Sequence, residues 1–152
     1  MNRKMAYFFS LACFILLLGG LGGCKKEGAN TAFSRIQGRW RLIEFGIDNN
    51  GDGVIEPYEL QLLSSKTITI YDFKGDSTGM QSTVANGDTQ FNINFYWKLL
   101  GDSLWIATSI HDTTTYYVSL LNSSNLIILA NLPVTVSSGN STILTENYFN
   151  KD

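Results

Sequence analysis

The chain of 152 residues carries 11 basic and 13 acidic side chains, a formal net charge of −2, and only two cysteines. That balance disfavours nucleic acid or an anionic lipid surface as partner, the length suits one domain with a core of ordinary size, and the cysteine count excludes a disulfide-stapled scaffold.

Arg3 and Lys4 precede an uncharged apolar run, Met5 to Leu18, which leads into small residues. This order predicts a secretory signal over residues 1–23, with an apolar run too short for a full membrane span. Leu21-Gly22-Gly23-Cys24 resembles the lipobox of bacterial lipoproteins. The resemblance implies cleavage before Cys24, lipidation of its sulfur with palmitate among the acyl chains, and attachment to a membrane through that lipid. The alternative is a plain signal peptide with an incidental cysteine. Cys13 leaves with the signal, so the mature chain is expected to have no thiol chemistry. Residues 24–32 read as a short polar tether. Its Lys25-Lys26-Glu27 start resembles the charged export signals of surface lipoproteins of the Bacteroidota, which implies the outer membrane, periplasmic or surface-facing; the alternative is a plain solvated spacer.

The domain proper is expected over residues 33–152. Its first strand pattern runs from Arg39 to Ile47. The stretch that follows, Asp48 to Glu59 (DNNGDGVIEPYE), matches D-x-[DN]-x-[DN]-G-x5-E at every defined position and resembles an EF-hand calcium loop. By that correspondence Asp48, Asn50 and Asp52 supply side-chain oxygens and Val54 its carbonyl. Glu56 reaches the ion directly or through water, and Glu59 closes the shell with both carboxylate oxygens. Calcium suits such a set because it is a hard cation that takes six to eight oxygens. The plainer reading is a turn, since Asn-Gly and Asp-Gly are common turn formers; a turn does not explain Glu56 and Glu59 at their offsets. Pro57 to Ser64 is the one helix expected in this loop, with proline at a first helical position and Leu60, Leu62 and Leu63 on one side.

Further strands are predicted at Thr67 to Phe73, Thr78 to Val84, Phe91 to Leu99, Leu104 to Ile110, Thr114 to Leu121, Leu126 to Ala130 and Ile143 to Phe149. Between them stand turn signals such as Asn86-Gly87-Asp88 and Gly101-Asp102. The clearest alternation places Phe91, Ile93, Phe95, Trp97 and Leu99 on one face. Eight strands joined mainly by hairpins predict an all-β fold, an eight-stranded up-and-down antiparallel barrel, with a sandwich as the competing arrangement. His111 is the only histidine and sits beside Asp112 in a turn, without partners for zinc or a catalytic triad.

Gly38-Arg39-Trp40 opening the first strand resembles the Gly-x-Trp signature of lipocalins, where the tryptophan closes one end of the barrel. Tyr96 to Ile106, and Tyr116 to Leu121 followed by Asn125 to Leu129, resemble the lipocalin-like lipoproteins of the Bacteroidota. The late arginine that packs on the lipocalin tryptophan has no counterpart except Lys151 near the chain end. The resemblance implies a barrel with one open mouth, covered by the long loop after the first strand, where the calcium-loop pattern falls. Phe91, Phe95, Trp97 and Tyr116 are the candidate ligand contacts, although aromatics in strands more often fill a core. The expectation is a lipid-anchored envelope binding module, not an enzyme, that takes a small apolar ligand and calcium. The alternative is a structural or adhesive surface lipoprotein that binds a protein or glycan without a ligand cavity.

Overall fold

The computed structural model describes residues 29–109, 112–136 and 139–152. The signal, Cys24, most of the tether and His111 lie outside the described residues.

A two-turn helix, α1 (Ala29–Ile36), leads into β1 (Gly38–Ile47). Ala32, Phe33 and Ile36 share one side of it at helical spacing, and Ile36 is fully buried. A helix this short is marginal by itself and is held by what it packs against. Gly38 makes the change of direction between the two elements, with φ 110° that other residues rarely adopt. Seven long strands follow a short one: β2 (Leu60–Leu62), β3 (Thr67–Phe73), β4 (Thr78–Ala85), β5 (Asp88–Leu100), β6 (Ser103–Ser109), β7 (Asp112–Leu121), β8 (Asn125–Val136) and β9 (Gly139–Lys151). β1 pairs with β3, each of β3 to β8 pairs antiparallel with the next, and β9 returns to pair with β1 from Trp40↔Lys151 to Ile47↔Thr145. The result is a closed eight-stranded up-and-down barrel rather than a sandwich. Closure leaves β2 as the extra strand, lying on β1 beyond the point where β3 stops.

The core sits at the end where β1 begins. Trp40, Phe73, Phe95, Trp97, Leu104, Leu126, Ile128 and Phe149 are buried there, and α1 closes the end like a stopper. Phe33 stacks on Trp97 at 4.8 Å between ring centroids, and the Trp40 indole N–H donates to the Ile36 carbonyl at 2.6 Å. Lys151 takes the position over Trp40: its Nζ is 4.9 Å from the ring centroid and donates to the Arg35 carbonyl at 2.9 Å. Asp152 pairs with Arg41 at 2.6 Å and Arg39 at 3.5 Å, clasping the last residues to β1.

Two expectations change. The helix expected over Pro57–Ser64 is a single 3₁₀ turn, Pro57–Glu59, after which Leu60–Leu62 extend as β2. The edge of β1 left free by β3 offers Glu44, Phe45 and Gly46 as partners, and a ladder there outweighs the helical preference of a few leucines. The one α-helix described precedes β1 instead, and it begins within the expected tether.

Candidate calcium loop and barrel interior

The loop between β1 and the 3₁₀ turn is seated on the outer face of β1. Gly46 permits this, because a Cβ there would strike Ile55 and come within 3.1 Å of Leu60. Gly51 and Gly53 take φ of 76° and 84°, which lets the chain curl tightly. Asp48 is 6% exposed and Glu59 3%. Their burial is compensated by amides. Asp48 accepts from Gly51 N–H at 2.7 Å and Gly53 N–H at 2.8 Å, while Glu59 accepts from Asn49 at 2.7 Å and Glu56 at 3.2 Å. Glu56 and Glu59 form a capping box on the 3₁₀ turn.

The remaining side chains converge on one amide. The Asn50 Nδ2 donates to Asp52 at 3.2 Å, Glu56 at 3.4 Å and the Tyr58 hydroxyl at 3.1 Å. A hydrogen bond between the Glu56 and Glu59 carboxyls, helped by burial and the nearby Asp52 charge, raises the Glu56 pKa from its ordinary value. Burial pushes Glu59 up, but the Asn49 and Glu56 amides outweigh it and hold that carboxyl low. The loop thus gathers Asp48, Asn50, Asp52, Glu56 and Glu59, and the Val54 amide is tied to Asp52 at 2.9 Å. The carboxylates approach one another pairwise. Among the described residues no three His, Cys, Asp or Glu side chains surround a single point, and a neutral amide group stands among the acceptors. The donor set is all oxygen and fits a hard divalent cation, which would require the Asn50 amide to turn its oxygen inward.

Inside the barrel the predicted ligand residues divide by depth. Phe95 and Trp97 are buried in the floor, and the Trp97 indole N–H is shared between the Thr78 and Lys74 carbonyls at 2.9 and 3.1 Å. Phe91 and Ile93 lie on the same side of β5 by alternation, yet are 42% and 39% exposed. Tyr116 is half-buried on the facing wall. The row is therefore packed at one end and open at the other. Polar groups at mid-height include the Thr69 and Thr83 hydroxyls, bonded at 3.0 Å. Tyr71, absent from the sequence-based candidates, packs there against Phe149, ring centroids 5.3 Å apart and planes at 84°. A second opening, a cleft of about 240 Å³, lies in the wall where β1 and β3 part, lined by Leu42, Ile43, Leu63, Thr67 and Ile68 among others.

The outer wall carries exposed aromatics, Tyr96, Trp105 and Tyr117. Tyr117 borders a shallow groove of about 340 Å³ with Ser103, Leu129, Asn131 and Leu144.

No family model matches the chain, and no curated protein does. Solved structures do. A lipocalin-like protein from Bacteroides uniformis is 16% identical, with a TM-score of 0.52 over 78% of this chain and 99% of its own. An uncharacterized protein from Bacteroides eggerthii is also 16% identical, with a TM-score of 0.51 over 76% of this chain and 98% of its own. The likeness at this identity is one of architecture, and the chain has the lipocalin-like fold: a closed eight-stranded antiparallel barrel with one end stoppered by a short helix.

Proposed function

We propose that the protein is a lipid-anchored module of the bacterial outer membrane that binds a small, largely apolar ligand inside the barrel, with calcium ordering the loop that lies against the outer face of β1 rather than over the mouth. The observation that carries the reading is the change along β5, from buried Phe95 and Trp97 to exposed Phe91 and Ile93 on one face. A strand row that only filled a core would be covered along its length, whereas an apolar row left uncovered near a barrel mouth suits a ligand. Anchoring rests on Leu21 to Cys24. Calcium would be held by Asp48, Asn50, Asp52, Glu56 and Glu59 with the Val54 carbonyl, and would neutralise carboxylates that otherwise repel.

Native mass spectrometry of the protein purified from its host tests the three parts together. The expected result is a lipid mass on Cys24, one bound calcium, and a ligand released on unfolding. Lipid labelling should vanish in Cys24→Ala. A bare polypeptide mass, with no displacement of an apolar fluorophore by any hydrophobic compound, would dispose of the proposal.

A second reading, adhesion to a glycan or protein partner, is favoured by Trp105 and Tyr117 on the outer wall, exposed by 46% and 56%. Under that reading Trp105→Ala with Tyr117→Ala abolishes glycan-array binding and leaves fluorophore binding intact.

A further inference from the structure

The strand register settles what faces the lumen. Trp40 pairs with Tyr71, Tyr71 with Gln81 and Gln81 with Ile93, so these four share one face with the buried floor. Tyr116, paired with the fully buried Leu104, faces them from β7. Tyr71 makes ring contacts with Phe73, Phe95 and Phe149, but its hydroxyl has no hydrogen-bond partner among the described residues. No enclosed side-chain oxygen or nitrogen among those residues lacks a partner. The Tyr71 hydroxyl therefore ends in space that water can enter, above an aromatic floor. Burial raises the pKa of both tyrosines, and the nearness of Tyr116 adds to the effect at Tyr71. Both stay neutral donors at physiological pH.

The same wall lacks charge. Among the described residues that face inward, Lys151 sits at the stoppered end and its Nζ is engaged by Trp40 and the Arg35 carbonyl. Asp112, at the other end of β7, accepts from the Thr108 hydroxyl at 2.7 Å, and Asp88, paired with Ala85 on the inner row at the start of β5, lies at the same end, so both add only negative charge. A carboxylate brought to the level of Tyr71 would lose its hydration and meet no cation, whereas a carbonyl or hydroxyl oxygen there could accept the waiting O–H.

We propose that the space above this aromatic floor selects neutral molecules with an apolar body and one carbonyl or hydroxyl oxygen, which accepts a hydrogen bond from Tyr71, and that it discriminates against the corresponding carboxylates. This rests on the reading that the barrel interior binds a ligand.

Displacement of an apolar fluorophore from the purified full chain by methyl octyl ketone, decane and decanoate tests it. At neutral pH the ketone should bind at least about tenfold tighter than decanoate, given the cost of an unpaired buried charge. Tyr71→Phe should bring the ketone down by about three- to tenfold, the range of one hydrogen bond, and leave decane unchanged. Tyr116→Phe, melted alongside to verify folding, should give a smaller loss. Decanoate binding as tightly as the ketone, or a ketone-to-decane ratio untouched by Tyr71→Phe, would overturn the selectivity while leaving the binding reading in place. No displacement by any of the three would overturn both.

Discussion

Gly79 is small because Phe95 is large. A Cβ at Gly79 would run into the Phe95 ring and come within 2.7 Å of the Asp72 carbonyl oxygen. Since that ring joins Phe73 and Tyr71 in the floor, neither it nor the backbone can yield cheaply. Gly79→Ala should therefore destabilise by about 1–3 kcal/mol or more, although alanine normally suits a strand no worse than glycine. Denaturant melts showing no loss would mean the floor is looser than described. Asn50 poses a different problem, because its amide group donates to acceptors that a cation would otherwise bridge. Asn50→Asp replaces that donor with another carboxylate. The substitution should lower the melting temperature in chelator and raise it in millimolar calcium, relative to the parent chain. A shift of the same sign in both conditions would argue that the loop is a turn and nothing more.

Among the elements, α1 illustrates dependence on a partner. Its eight residues are too few to persist alone, and Phe33 on Trp97 with Ile36 under Trp40 is what keeps it in place. Phe33→Ala should cost about 2–3 kcal/mol, less than a fully buried phenylalanine, and should be seen in thermal melts together with a change in tryptophan fluorescence. The sequence does not single out this helix because its apolar side is only Ala32, Phe33 and Ile36, a pattern too short to separate from a tether. The strands were easier. Asn86 and Gly87, with φ of 53° and 90°, form the hairpin turn that the Asn-Gly pair announces, and β5 alternates cleanly from Phe91 to Leu99. β3 was legible as a strand but not as to face: Ile68 and Ile70 alternate with Thr69, Tyr71 and Phe73, so both rows carry apolar groups and only the register with Trp40 shows which is inner. The sequence alone therefore does not mark Tyr71 as an inner residue. β2 was invisible because nothing local in Leu60-Gln61-Leu62 calls for a strand; a free edge on β1 does.

At the scale of the barrel, several phenols are withdrawn from water to different degrees, Tyr71 and Tyr116 deeply and Tyr148 slightly. Burial first, and then the Glu146 carboxylate that its hydroxyl contacts at 2.8 Å, push Tyr148 up to about 12. Burial raises Tyr116 and drives Tyr71 higher still. Each phenol is harder to ionise in the folded chain than in the unfolded one. Its contribution to stability is therefore complete below about pH 10, the ordinary tyrosine value, and is lost as pH climbs through the raised values. Stability should fall from about pH 10 onward, with a late phenolate absorbance step that coincides with unfolding. A protein equally stable at pH 9 and 12 would contradict these assignments.

The divided edge of β1 has a further consequence. Its first half belongs to β3 and its second to β2, with the lateral cleft at the join, while on the opposite edge the pairing with β9 bulges after Leu42. Glu59 is both the last position of the loop and the residue before β2, so whatever immobilises the loop also fastens one jamb of that cleft. Two sites that share a moving part exchange free energy in both directions. If calcium tightens the hold on a ligand by some factor, the ligand must tighten the hold on calcium by the same factor. Calorimetric titration of calcium into the chain with and without saturating ketone should reveal the coupling, and identical calcium affinities would mean that β2 is a fixed part of the wall, indifferent to what the barrel contains.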